Sequence, residues 1–479
     1  MAEANNGKKA IKAGFGYTIG NFMIRGISFL LVMVFSRIMK SDQFGVYNIF
    51  LSYDSILYVV TGFALHSSVK SANLTFKKQI DQYISTMTLV YVFNFVLFNI
   101  IVTLFGRLFS ELTELPVLAI YMLLFYSSGS ALLTLYNERL SLDYNYKKFL
   151  TLSCINTVCS ISLSLVLMYT VYSDNLSLGR IIGSSVTIAA IAVYILFAIY
   201  RKAKPKFNKE YLKFGFKYSL PIVPHGISQV LLSQFDRIMI EKMISFSAAG
   251  IYSLAANLNL ILNVICTSIE TAWNTWFFEE MDAGHTKVVQ KRAKQLTTVA
   301  LIMTIGLMGI SPEMMLILGG SEYAQGKYVA IPLIIDAFVI FIYDVVVSSE
   351  YYTKKTKYIM IGTMIAAAIN VVTNYIFIKK FGFYAAAYTT LFSYLCYAGL
   401  HMFISHRLIK FHVIPMKSVL FYIVMLAVSA YIDLTFIDSI WIRYPVFAAT
   451  IGVIGYFLYK ELSADGIDVI GVIKSRFKK

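Results

Sequence analysis

Residues 16–35 read GYTIGNFMIRGISFLLVMVF. Twenty helical residues reach about 30 Å, the thickness of a bilayer's hydrocarbon core. Arg25 sits near the middle of this run, where a guanidinium costs roughly 2.5–3.5 kcal/mol on insertion scales. The stretch therefore predicts a membrane-spanning helix with water or an anion beside its centre. It resembles a signal peptide in following Lys8, Lys9 and Lys12, but it is too long, carries Arg25 and lacks a small-x-small cleavage site, so it is expected to remain as the first span.

The rest of the chain repeats the pattern. Of 479 residues, 58% are hydrophobic and 14% charged, with a mean hydropathy of +0.68. Soluble domains carry about 25% charged residues. The predicted fold class is an all-α polytopic membrane protein. Apolar runs at 14–36, 45–66, 84–106, 115–136, 149–171, 180–200, 216–236, 249–271, 296–318, 328–349, 358–378, 383–404, 417–437 and 441–460 predict 14 transmembrane helices.

The net charge of +16 is a matter of topology. Fourteen spans place both termini on one side. That side holds 31 of the 42 Lys and Arg residues, and by the positive-inside rule it is cytoplasmic. Nucleic acid is not expected as a partner; anionic membrane lipids are. The densest basic run, RKAKPKFNKEYLKFGFK (Arg201 to Lys217), is read as a cytoplasmic linker. The expected organisation is an N-terminal lobe over 1–200, the linker over 201–217, a C-terminal lobe over 218–405, and two further spans with a basic cytoplasmic tail over 406–479.

Two stretches echo one another. SRIMKSDQFGVYNIF from Ser36 and DRIMIEKMISFSAAGIYSLA from Asp236 each end a span with Arg-Ile-Met and enter the next through Gly-x-Tyr, Gly45/Tyr47 and Gly250/Tyr252. Six spans per block keep the two copies in the same orientation, and parallel repeats have their axis along the membrane normal. Such a duplication predicts two lobes around a cavity.

Polar residues recur at helical spacing in the paired spans of the two copies. Span one carries Thr18, Asn21, Arg25 and Ser28; span two carries Tyr47, Asp54, Tyr58 and Thr61. Span seven carries His225, Gln229, Ser233 and Asp236, followed by Arg237; span eight carries Asn263, Thr267, Glu270 and Asn274. Unsatisfied polar groups in hydrocarbon cost several kcal/mol each, so these faces predict a water-filled cavity; interhelical hydrogen bonding is the alternative for any one of them. Asp54, Glu270, Asp336 and Asp344 are candidates for coupling to H⁺ or Na⁺ and the membrane potential. Pro221 and Pro224 should bend or break span seven.

No Walker loop, H-E-x-x-H or zinc-type Cys/His spacing occurs in the sequence. Cys154, Cys159, Cys266 and Cys396 fall inside spans and offer no disulfide framework or metal site. The chain is expected to be neither an enzyme nor a cofactor or metal binder.

The stretches SLPIVPHGISQVLLSQFDRIMI (Ser219 to Ile240), AAGIYSLAANL and NVVTNYIFIKKFGFYAAAYTT, in a chain of this length, resemble the oligosaccharide-lipid (Wzx-type) flippases of capsule, O-antigen and related polysaccharide export. These belong to the multidrug/oligosaccharidyl-lipid/polysaccharide exporter (MOP) superfamily. The resemblance covers essentially the whole chain. It implies two six-helix lobes in a V around a central cationic cavity, with two added C-terminal helices offering a groove for a lipid tail. It implies that Arg25 lines the cavity, that Asp54 faces it, and that the Pro221/Asp236/Arg237 segment is the second-lobe counterpart. The implied substrate is an undecaprenyl-pyrophosphate-linked oligosaccharide moved across the bacterial cytoplasmic membrane by alternating access, with a polysaccharide polymerase or assembly machinery as a candidate partner. A lipid II flippase, a cation-coupled multidrug antiporter and a membrane glycosyltransferase or polymerase are the alternatives. A single mid-span basic residue is fewer than lipid II flippases carry, and an antiporter would want an acid in span one.

Overall fold

The computed structural model describes residues 16, 20, 22–24 and 26–466 of the chain. Every regular element among the described residues is helical. A helix over 26–38 (α1) is followed by α2 (Ser41–Gly62), α3 (Val69–Thr75), α4 (Ile80–Thr113), α5 (Val117–Leu142), α6 (Tyr146–Thr170), α7 (Leu176–Lys202), α8 (Lys209–Ser219) and α9 (Val223–Met243). Then come α10 (Phe246–Asn257), α11 (Asn259–Asp282), α12 (Thr286–Gly319), α13 (Lys327–Tyr352), α14 (Lys357–Phe381), α15 (Tyr384–Ile409), α16 (Met416–Thr435) and α17 (Ile440–Ala464).

Local chemistry sets the boundaries. Asn145, Asn175 and Asn208 cap α6, α7 and α8, each side chain accepting from a backbone N–H of the first turn. Pro116 and Pro415 stand immediately before α5 and α16, where a missing N–H costs nothing. Gly320 and Gly382 end α12 and α14 with φ of 79° and 73°, a region open to glycine. Pro221 lies in the 3₁₀ turn Leu220–Ile222 that separates α8 from α9.

Among the described residues, ten helices are long and apolar enough to cross a membrane. The bent pair formed by α2 and Leu65–Thr75, kinked by 50°, makes an eleventh. The kink falls at Phe63 and Ala64, consecutive left-handed residues with φ of 45° and 50°. Helix occupies each of the fourteen stretches expected from hydropathy, as far as they are described. Of the three remaining stretches, the first is described only in part, and the other two are comparatively polar. α9 carries His225, Gln229, Asp236 and Arg237, and α15 carries Thr389, Thr390, Ser393, His401 and Ser405, all five buried against neighbouring helices. These polar groups lower the mean hydropathy of both helices, although the sequence pattern already marks them as spans.

Packing divides the chain into a unit ending at Ser253 and a unit beginning at Leu254. In the first, α5 and α7 pack together and α2 lies against α5 and α9. Its core holds Leu65, Tyr83, Met87, Tyr91, Leu135 and Tyr211. Within the expected linker, α8 docks on this core: Tyr211 meets the Phe76 and Tyr83 rings, while Gln82 and Thr86 of α4 hydrogen-bond the carbonyls of Lys204 and Lys206. The second unit is built around α13, whose apolar segment is 89% buried inside the protein, against 17% for α17. A helix that apolar and that enclosed is a core element, and its neighbours α12, α15 and α16 separate it from lipid. Phe93, Leu104, Phe197, Tyr431 and Phe457 stay exposed, as lipid-facing side chains should.

Candidate functional site

Thr18, Asn21 and Arg25 lie outside the described residues. Ser28 is exposed on α1 and its hydroxyl donates to the Ile24 carbonyl at 2.8 Å.

In the unit ending at Ser253, the polar residues of α2 are tied into packing. Tyr47 and Thr61 are buried. Asp54 is half-buried and accepts a 2.6 Å hydrogen bond from Ser127 of α5. Tyr58 is half-buried, its ring 6.2 Å from His66. On α9, His225 and Gln229 are half-buried and Ser233 is exposed. Asp236 is buried; it accepts from the Tyr252 hydroxyl and from the Arg237 backbone N–H at 2.8 Å. The Arg237 guanidinium donates to the Ser233 carbonyl at 2.7 Å and to Gln234 at 2.8 Å, and lies 5.9 Å from the Tyr252 ring. The structure thus joins Asp236, Arg237 and Tyr252 in one network on α9 and α10. It does not pair Asp54 with that network.

In the unit beginning at Leu254, Asn263, Glu270 and Asn274 are half-buried along α11. The Asn274 amide donates weakly to Glu270 at 3.4 Å, and its oxygen accepts from Ser348 of α13 at 2.6 Å. Asp344, also on α13, is an electrostatic neighbour of Glu270. Asp336 is fully buried two turns earlier. Glu270 and Asp344 therefore share one neighbourhood.

Arg180 and Arg443, which the count of basic residues treats as topological, are buried, and so is Glu350. Arg180 of α7 is 8% exposed; it donates to Ser160 and Ser164 at 3.1 and 2.9 Å and covers the Phe35 ring at 4.1 Å. Arg443 of α17 is fully enclosed against Glu313 and Asp433. Glu350, at the end of α13, pairs with His401 of α15. Each sits within a turn or two of a span end or beside polar neighbours, so linear position gave no signal of burial.

Two apolar cavities among the described residues border α16. One, of about 530 Å³, lies among α13, α15 and α16; the other, of about 660 Å³, among α12, α16 and α17. The second has Lys294, Lys417 and Glu461 at one end and an apolar body of Phe421, Val453 and Phe457. Among the described residues no three His, Cys, Asp or Glu side chains are grouped to hold a metal ion.

Residues 11–281, more than half of the chain, match the family described as polysaccharide biosynthesis protein. The chain belongs to this family. Lsg locus putative protein 1 of Haemophilus influenzae is 23% identical over 375 residues, spanning 76% of this chain and 90% of that protein. Among solved structures, the lipid II flippase MurJ in an inward closed conformation superposes with a TM-score of 0.68 at 16% identity, covering 93% of this chain and 99% of that one. An inward-facing multidrug resistance transporter of the MATE family, from the MOP superfamily, gives 0.65 at 11% identity, covering 82% and 98%. This polysaccharide biosynthesis protein is therefore a multi-pass helical membrane protein that shares its fold with those two structures.

Proposed function

We propose that the protein is a flippase that moves an undecaprenyl-pyrophosphate-linked oligosaccharide from the inner to the outer leaflet of the bacterial cytoplasmic membrane by alternating access. The observation that carries this reading is the polysaccharide biosynthesis family match on a chain with a transporter fold. Such a substrate has three parts of different chemistry, and the chain has residues whose chemistry suits each. The prenyl tail suits an apolar groove such as that along α16 and α17, with Lys294 and Lys417 at its end. Sugar hydroxyls suit half-buried amides and carboxylates such as Asn263, Glu270 and Asn274 of the unit beginning at Leu254. The pyrophosphate suits Arg25, whose planar fork matches phosphate oxygens better than a lysine does.

Deletion of the gene is expected to abolish surface polysaccharide while its lipid-linked precursor accumulates in the inner leaflet. Unchanged surface polysaccharide would overturn the reading. Arg25→Ala and Arg25→Lys should both reduce export at normal protein levels. Wild-type export by both variants would remove the phosphate role from Arg25 and leave the flippase reading standing.

A further inference from the structure

In the unit beginning at Leu254, Glu350 and His401 are enclosed completely, with His401 Nδ1 2.5 Å from one Glu350 oxygen. The Tyr343 and Tyr397 rings stand 5.0 and 4.6 Å from the imidazole, edge to face. Thr363 of α14 holds the Tyr397 hydroxyl at 2.9 Å. Gly362 packs directly on His401 Nε2, so closely that a Cβ there would collide with it. The second Glu350 oxygen and His401 Nε2 have no hydrogen-bond partner among the described residues.

Buried polar atoms are nearly always satisfied, so two free ones on a single pair call for an explanation. With the imidazole neutral and its hydrogen on Nδ1, the carboxylate accepts that hydrogen bond and the site carries one net negative charge. One more proton, on Nε2 or on the free carboxyl oxygen, makes the site neutral overall. An uncompensated buried charge costs several kcal/mol. The loaded pair can therefore remain sealed, whereas the emptied pair needs water. A site whose proton content must match its hydration is coupled to any movement that opens it.

We propose that Glu350 and His401 form a proton-binding site that is loaded and emptied as the transporter changes conformation. The proton comes from water on one side of the membrane and returns to water on the other, with no other bond made or broken. What the proton drives rests on the flippase reading; the binding itself does not. The titratable groups facing the pair are Tyr343 and Tyr351 on α13 and Tyr397 on α15, while α14 presents Gly362 and Thr363. Glu270 of α11 and Asp344 act on Tyr351 and so form the next ring of charge. With two donors only, the pair is a poor fit for a metal ion.

A reporter is built in. Trp273 of α11 donates its indole N–H to the Val345 carbonyl and to Ser348 on α13, at 3.1 and 3.0 Å, just before Glu350. Tryptophan fluorescence of the full-length protein in lipid nanodiscs, in a Trp276→Phe/Trp441→Phe background, should change reversibly with pH. Glu350→Gln keeps an acceptor for Nδ1–H but cannot carry the proton, and His401→Gln removes the imidazole; each should abolish the titration while the protein stays monodisperse. A wild type that shows no titration, or a folded Glu350→Gln protein that titrates like wild type, overturns the proposal. In a deletion strain, Glu350→Gln at normal levels should lower export about tenfold, within the usual range of coupling energies; wild-type export by this variant would separate the site from transport and overturn its place in the cycle. If the wild type titrates and Glu350→Gln does not, yet the wild-type gene fails to clear the accumulated precursor, the flippase reading falls and the proton site stands.

Discussion

Arg443 shows what a single charge can hold in place. Its guanidinium donates from Nε to the Gly309 carbonyl at 3.0 Å, reaches the Ile437 carbonyl and Glu313, and lies 3.5 Å from Asp433. Both carboxyl oxygens of Asp433 lack any hydrogen-bond partner among the described residues, so Arg443 is the charge that compensates it. Removing one member of a buried pair typically destabilises by about 3–5 kcal/mol, whereas replacing both by apolar groups often costs little. Arg443→Met should therefore lower the apparent melting temperature and the amount of protein sharply. The double variant Arg443→Met/Asp433→Leu should recover much of that loss, which thermal unfolding in detergent would measure. A double variant as unstable as Arg443→Met would mean that the hydrogen bonds to Gly309 and Ile437 dominate. This network was not legible in the sequence, because Asp433, Arg443 and Glu313 lie on three spans and only packing brings them together. The same applies to Glu350 and His401, which are 51 residues apart.

Elements are fastened at their ends as well as along their faces. The first turns of α12 and the residue after α17 meet in a small charged knot. Asp465 accepts from Lys291, from Arg292 at 3.0 Å and from Gln295 at 3.0 Å, while Lys294 pairs with Glu461 at 2.8 Å. Hydrogen bonds from Lys291 and Gln295, followed by the charges of Lys291 and Arg292, hold the Asp465 carboxyl below the usual carboxylate range. A depressed folded pKa contributes stability above the unfolded value of about 4, and that contribution is lost as pH falls through the folded value. Asp465→Asn should therefore be less stable than wild type at neutral pH, and the gap in melting temperature should close in acid. A gap that persists in acid would point to lost hydrogen bonds rather than lost charge. Helix positions and the proline break before α9 were readable from local sequence, because each depends on a few neighbouring residues. The orientation of a polar stripe was less so: the spacing of Tyr47, Asp54, Tyr58 and Thr61 gave a common face, but Tyr47 and Thr61 on that face are buried. Periodicity says which residues share a side of a helix and not what that side meets.

At the scale of the whole molecule, hydropathy and charge were enough to reach a polytopic helical membrane protein, since the bilayer imposes the same demand on every span. Even α9 and α15, whose polar groups pack on other helices, overlap stretches that the sequence pattern marked as spans. The sequence echo proves informative in a way that composition is not. A Cβ on Gly45 would run into the carbonyl of Phe246, and a Cβ on Gly250 into the carbonyl of Ser41. Phe246 stands to Gly250 as Ser41 stands to Gly45, four residues before it. The two copies of the motif therefore meet in a reciprocal backbone contact, sealed by a 2.7 Å hydrogen bond between the Ser41 and Ser247 hydroxyls. Only glycine allows helices to approach this closely. If export proceeds by alternating access, such a contact between repeated motifs should open once per cycle. With the native cysteines replaced by serine, Ser41→Cys/Ser247→Cys should form a disulfide under oxidation that stops export, and a reductant should restore it, while each single cysteine variant exports under both conditions. Precursor accumulation measured with and without reductant reads the outcome directly. A crosslinked protein that still exports at the wild-type rate would show that the contact stays closed throughout, and the moving parts would then have to be sought elsewhere in the helical array.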